Sequence, residues 1–91
     1  MRVEIRGRAE ADLFEIIEHI AKDNPDRAVT YVGGLRQRLE VLAQHPAIGH
    51  KGRVAGTREL VLAPYVAVYV VDNKAEVISV VRVLHGSRRY P

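Results

Sequence analysis

The chain has 91 residues and no cysteine, which excludes a disulfide framework and a thiolate metal site. A chain of this length buries roughly 60–65% of its unfolded surface. That predicts one domain over residues 1–91, with one modest core and no room for separate cofactor and substrate domains. The net charge of +3 divides unevenly: residues 1–50 carry seven basic and eight acidic side chains, and residues 51–91 carry seven basic and three acidic.

Hydrophobic residues make up 47% and charged residues 27%, as in a globular domain. No apolar run approaches the ~18 residues of a membrane span, and no signal-like stretch follows the alternating N-terminus. Together with the lack of cysteine, this predicts a cytoplasmic protein with no membrane partner. Eleven of the fourteen basic residues are arginine, which suits bidentate contacts to phosphate or carboxylate.

Val3 and Ile5 alternate with Arg2, Glu4 and Arg6, the pattern of a short half-buried strand, which Gly7 ends. From about Arg8 to Lys22 the period changes: Leu13, Ile16, Ile17 and Ile20 follow helical spacing, with acids early and on the polar side. Asn24 and Pro25 read as the cap and first position of a second helix. Its seam is Ala28, Val32, Leu35, Leu39 and Leu42, and it reaches about Gln44, where His45-Pro46 ends it. So short a turn makes the two helices an antiparallel hairpin. Gly33 and Gly34 lower the second helix's propensity by about 1 kcal/mol each.

Residues 45–56 read as a loop, followed by strands at Arg58–Leu62, Tyr65–Val71 and Val77–His85. The middle one, nearly continuous in apolar residues, is placed at the centre of the sheet. Short connections make these three an antiparallel meander. The order strand, helix, helix, strand, strand, strand predicts an α+β domain with a helix hairpin on one sheet face.

Strict alternation along the last strand groups Ile78, Val80, Arg82 and Leu84 on one face. An arginine there needs a counter-charge, water or an anionic ligand, and Glu59 is the nearest partner in the sequence. His85, at the strand's end, is either a hydrogen-bonded structural residue or an acid–base group. Arg88, Arg89 and Tyr90 form a basic-aromatic end that either folds onto the sheet or contacts a nucleic acid. No phosphate-binding glycine motif, nucleophile elbow or metal-ligand spacing is present, so neither a cofactor nor a metal is expected.

Several segments, in chain order, carry a family pattern. They are Ala11-Asp12-Leu13 with Ile16 and Ile20, then Ala21 through Pro25 leading to Ala28, and Pro46-Ala47-Ile48-Gly49 after Leu35, Leu39 and Leu42. Gly56-Thr57-Arg58-Glu59-Leu60 precedes Tyr65-Val66-Ala67-Val68-Tyr69, and Arg82-Val83-Leu84-His85 leads to the Gly86–Pro91 end. Over nearly the whole chain this resembles the RelE/ParE superfamily of toxins from bacterial type II toxin–antitoxin systems, and more closely its ParE branch. The resemblance implies a cognate antitoxin, which Leu13, Ile17, Val32 and Leu39 of the apolar hairpin would meet. It further implies DNA gyrase as the target, with plasmid stabilisation as a role, and no small-molecule substrate. The alternative is RelE-like cleavage of ribosome-bound mRNA. On the gyrase reading Arg58, Arg82, Arg88, Arg89 and Tyr90 form a target-binding surface with no catalytic residue. On the nuclease reading Arg82, His85 and Tyr90 are catalytic.

Overall fold

The computed structural model describes residues 1–91. Strand β1 (Arg2–Ile5) runs almost directly into helix α1 (Gly7–Ala21), so Gly7 starts the helix rather than separating the two elements. The Arg6 carbonyl accepts the first helical bond, from the Glu10 N–H at 2.8 Å. Helix α2 (Pro25–Leu39) begins as its sequence directs: Asn24 Oδ1 accepts from the Arg27 N–H at 3.0 Å, and Pro25 lies where no donor is needed. α2 stops at Leu39, and residues Glu40–Ala43 tighten into a 3₁₀ turn in place of the last α-helical turn expected up to Gln44.

The rest of the chain supplies strands β2 (His50–Lys51), β3 (Arg58–Leu62), β4 (Tyr65–Asp72) and β5 (Val77–His85). The sheet has five strands in the order β1-β5-β4-β3-β2. β3, β4 and β5 form the antiparallel meander, with the apolar β4 at the centre. Two features extend the sequence reading. The predicted loop contains β2, antiparallel to β3, and β1 pairs in parallel with β5, Val3 opposite Ile78 and Ile5 opposite Val80. The architecture is α+β, with both helices against one sheet face.

Between helices and sheet, Leu13, Ile16, Val32, Leu35 and Leu39 pack with Ala67, Tyr69, Ile78, Val80 and Val83 in one core. Leu13, Val32 and Leu39, expected to meet an antitoxin, are instead closed inside it, and Ile17 packs half-buried at its margin. Their helical period reflected the chain's own core. Tyr69, fully buried, has a satisfied hydroxyl: it donates to the Pro46 carbonyl at 2.8 Å and accepts from the Gly49 N–H at 2.9 Å. This pins the 45–49 loop beneath the sheet. Gly49 is required there, because a Cβ would lie 2.6 Å from the Glu59 carbonyl and 2.7 Å from the Tyr69 hydroxyl.

Strict alternation fails in β5. Val68 pairs with Arg82 and Tyr69 with Val80, so Val81 is an extra, bulged residue. Ile78, Val80 and Val83 therefore share the core, while Leu84 joins Val66 and Val68 on the opposite face. The bulge corrects the predicted grouping of Leu84 with Ile78 and Val80.

Candidate binding surface

Asp12 is the one carboxylate buried with the core, at 4% exposure. It lies on the inward stripe of α1, three residues after Ala9 and four before Ile16, both buried. Its two oxygens accept from Arg82: Nε to Oδ2 at 2.8 Å and Nη2 to Oδ1 at 3.2 Å. Oδ2 also accepts from the Val83 N–H at 2.9 Å, just beyond the bulge. Arg8 adds a looser charge contact at 3.5 Å. The hydrogen bonds to Asp12 raise the Arg82 pKa above the usual arginine value; burial opposes this, and the charges of Asp12 and Glu15 add to it.

The expected Arg82–Glu59 pair is not formed. Glu59 faces the other way along the sheet and meets His50, with Oε1 3.2 Å from Nε2. Asp12 was missed because it reads as one of several acids early in a helix. The available signal was its position on an otherwise apolar stripe.

The sheet face opposite the helices carries a cleft of about 540 Å³. Val66, Val68 and Leu84 line it, together with Lys51, Arg53, Glu59 and the tail residues Arg88, Arg89 and Tyr90. An aliphatic lining beside four cations is chemistry that can engage a large partner by packing and charge. The cleft also holds the His50–Glu59 pair. Lys51 and Arg53 were not singled out in the sequence; their place depends on β2 folding along β3.

Arg58 is turned away from this cleft. Its Nη1 donates to the Gly49 carbonyl at 2.6 Å, which makes it a brace for the 45–49 loop. His85 is turned to the helix side. It stacks edge-on against Tyr65, with ring centroids 5.7 Å apart, and its Nδ1 lies 2.9 Å from Ser87 Oγ. Burial and the neighbouring Tyr31 raise the Tyr65 pKa above 10.0. Of the five residues expected on a target surface, Arg88, Arg89 and Tyr90 share the cleft, while Arg58 and Arg82 are engaged elsewhere. No three His, Asp or Glu side chains are grouped as metal ligands, and no helix is long and apolar enough to cross a membrane.

The backbone is similar to that of a chromosomal ParDE toxin–antitoxin system from P. aeruginosa. The TM-score is 0.81 at 26% identity, covering 93% of this chain and 95% of that one. A second solved structure, the RelBE2 toxin–antitoxin complex from Mycobacterium tuberculosis, shares the fold, with a TM-score of 0.71 at 20% identity over 92% of this chain and 95% of that one. Fold and surface thus define a small α+β toxin of the RelE/ParE superfamily.

Residues 3–90 match the family described as the ParE toxin of the type II toxin–antitoxin system parDE. "Putative toxin Y4kP" of Sinorhizobium fredii (strain NBRC 101917 / NGR234) is 38% identical over 86 residues, 92% of this chain and 86% of that protein. The chain belongs to the ParE toxin family.

Proposed function

We propose that this type II toxin acts by binding DNA gyrase through the open sheet face and is neutralised by a cognate antitoxin. The observation that carries the reading is the fate of Arg82. On a nuclease reading it would neutralise a phosphate, yet its Nε and Nη2 are spent on Asp12. On the open face Val66, Val68 and Leu84 form an apolar floor beside Lys51, Arg53, Arg88 and Arg89, a combination that suits packing against a protein surface. His85 lines a pocket next to the cleft that holds Tyr90 rather than the cleft itself, which favours binding over acid–base chemistry. The antitoxin reading draws on the solved neighbours, which are toxin–antitoxin systems.

The test sets purified toxin against a gyrase supercoiling reaction and, separately, a ribosomal translation reaction. Loss of supercoiling with intact mRNA is expected. Removing the cleft cations with Arg88→Ala and Arg89→Ala should weaken inhibition by at least tenfold while the fold survives. Codon-phased mRNA cuts with unimpaired supercoiling would overturn the proposal in favour of ribosome-dependent cleavage.

A further inference from the structure

The open cleft holds a single carboxylate among its cations. Lys51, Arg53, Arg88 and Arg89 line it, and none of the four is paired with an acid of the chain. Glu59 lines the same cleft, with its side chain 22% exposed. Its Oε1 lies 3.2 Å from Nε2 of His50, and its Oε2 has no partner in the chain. Arg58, the adjacent residue, is spent on the Gly49 carbonyl. Both signs of charge in the cleft are therefore left to meet something outside the chain.

The strand register explains where the carboxylate stands. Glu59 is opposite Val68 in the β3–β4 ladder, and Val66 is opposite Leu84 in the β4–β5 ladder. All four line the cleft, so Glu59 rises at the margin of the aliphatic floor. A nucleic-acid backbone drawn in by the four cations brings its phosphates towards this carboxylate, and like charges oppose each other. A basic side chain behaves in the opposite way. Its methylene stem can lie along Val66, Val68 and Leu84 while its charged head reaches the open Oε2. Acidic neighbours of that basic residue then meet the surrounding lysine and arginines.

We propose that Glu59 sets the specificity of the cleft. It receives an arginine or lysine of a protein partner, flanked there by acidic residues, and it disfavours nucleic acid. The proposal rests on the cleft being the target-binding surface and names the chemistry which that surface selects. Specificity is a difference between two affinities, so one carboxylate that strengthens one complex and weakens the other acts on both sides of that difference.

Glu59→Gln keeps the shape of the side chain and removes its charge. Fluorescence anisotropy of a labelled oligothymidine of about 20 nucleotides, at low salt, measures the hold on phosphates. The variant should bind it about fivefold tighter than the wild type does, with the thermal midpoint little changed. In the supercoiling reaction the same variant should be about fivefold less potent, and Glu59→Asp should recover part of the loss. A Glu59→Gln variant that binds the oligonucleotide no tighter than the wild type overturns the proposal. So does one that inhibits supercoiling as well as the wild type. Wild-type mRNA cuts that Glu59→Gln abolishes would also overturn it, by making the His50–Glu59 pair an acid–base group. The oligonucleotide measurement needs no gyrase, so failure of the gyrase reading and failure of this proposal are told apart.

Discussion

Removing the Asp12 carboxylate with Asp12→Ala should be among the most damaging single substitutions in the chain. It strands two donors at once: the Arg82 guanidinium, whose side chain is 16% exposed, and the Val83 N–H. Breaking a buried ion pair from one side costs about 3–5 kcal/mol, because the other charge stays buried without its partner. A domain of this size has a total stability of about 5–14 kcal/mol, so at least a fifth of it is at stake. At about 4–8 °C per kcal/mol, the thermal midpoint should fall by roughly 12–40 °C. Urea unfolding followed by circular dichroism measures the loss directly. Asp12→Leu combined with Arg82→Met removes both charges and should recover most of it, since an apolar pair of similar volume often matches a buried ion pair. A loss below about 1 kcal/mol for Asp12→Ala would refute the reasoning, because it would place Asp12 in the range of an exposed pair.

Tyr69→Phe should cost about 1–3 kcal/mol, since it leaves the Gly49 N–H and the Pro46 carbonyl beneath the sheet without a partner. Gly49→Ala should destabilise the same loop by driving a methyl group into the Glu59 carbonyl, and denaturant midpoints of the two variants check both. The hydrogen bonds from Arg36 hold the Glu10 carboxyl below its ordinary 4.5. The stability this pair adds is therefore present above pH 4.5 and lost as pH falls through the lowered value. Both side chains are nearly half exposed, so the contribution is under about 1 kcal/mol. Wild type and Glu10→Gln should converge in stability below pH 4.5, and a gap that widens in acid would contradict the sign.

The helices and the meander were legible because their periods are local. Leu13, Ile16 and Ile20 mark one helix face, and the Asn24-Pro25 start of α2 uses chemistry confined to adjacent residues. What the sequence concealed depends on distant pairings. The partner of β1 is β5, more than seventy residues away, and no local pattern states that. β2 is two residues long and takes its form from β3. The bulge at Val81 is invisible in a run of Val and Ile, yet it reverses which side Leu84 faces. The same limit applied to the site. The basic tail was recognised by composition, and Arg88, Arg89 and Tyr90 do share a cleft. The partners of Arg82 and Arg58, Asp12 and the Gly49 carbonyl, were not legible because only the fold brings them together.

The parallel pairing of the first strand with the last also governs when the molecule can exist. β1 gains its neighbour, and Asp12 its donors, only after residues 77–83 have been made. A chain growing from its N-terminus can form the helix hairpin early, but it cannot close the sheet or build the cleft until translation is nearly over. A truncated product lacking β5 would lose the second-from-edge strand, both helix-to-sheet ties through Asp12, and the Arg88–Tyr90 end together. The closed sheet and the cleft are thereby confined to completed chains.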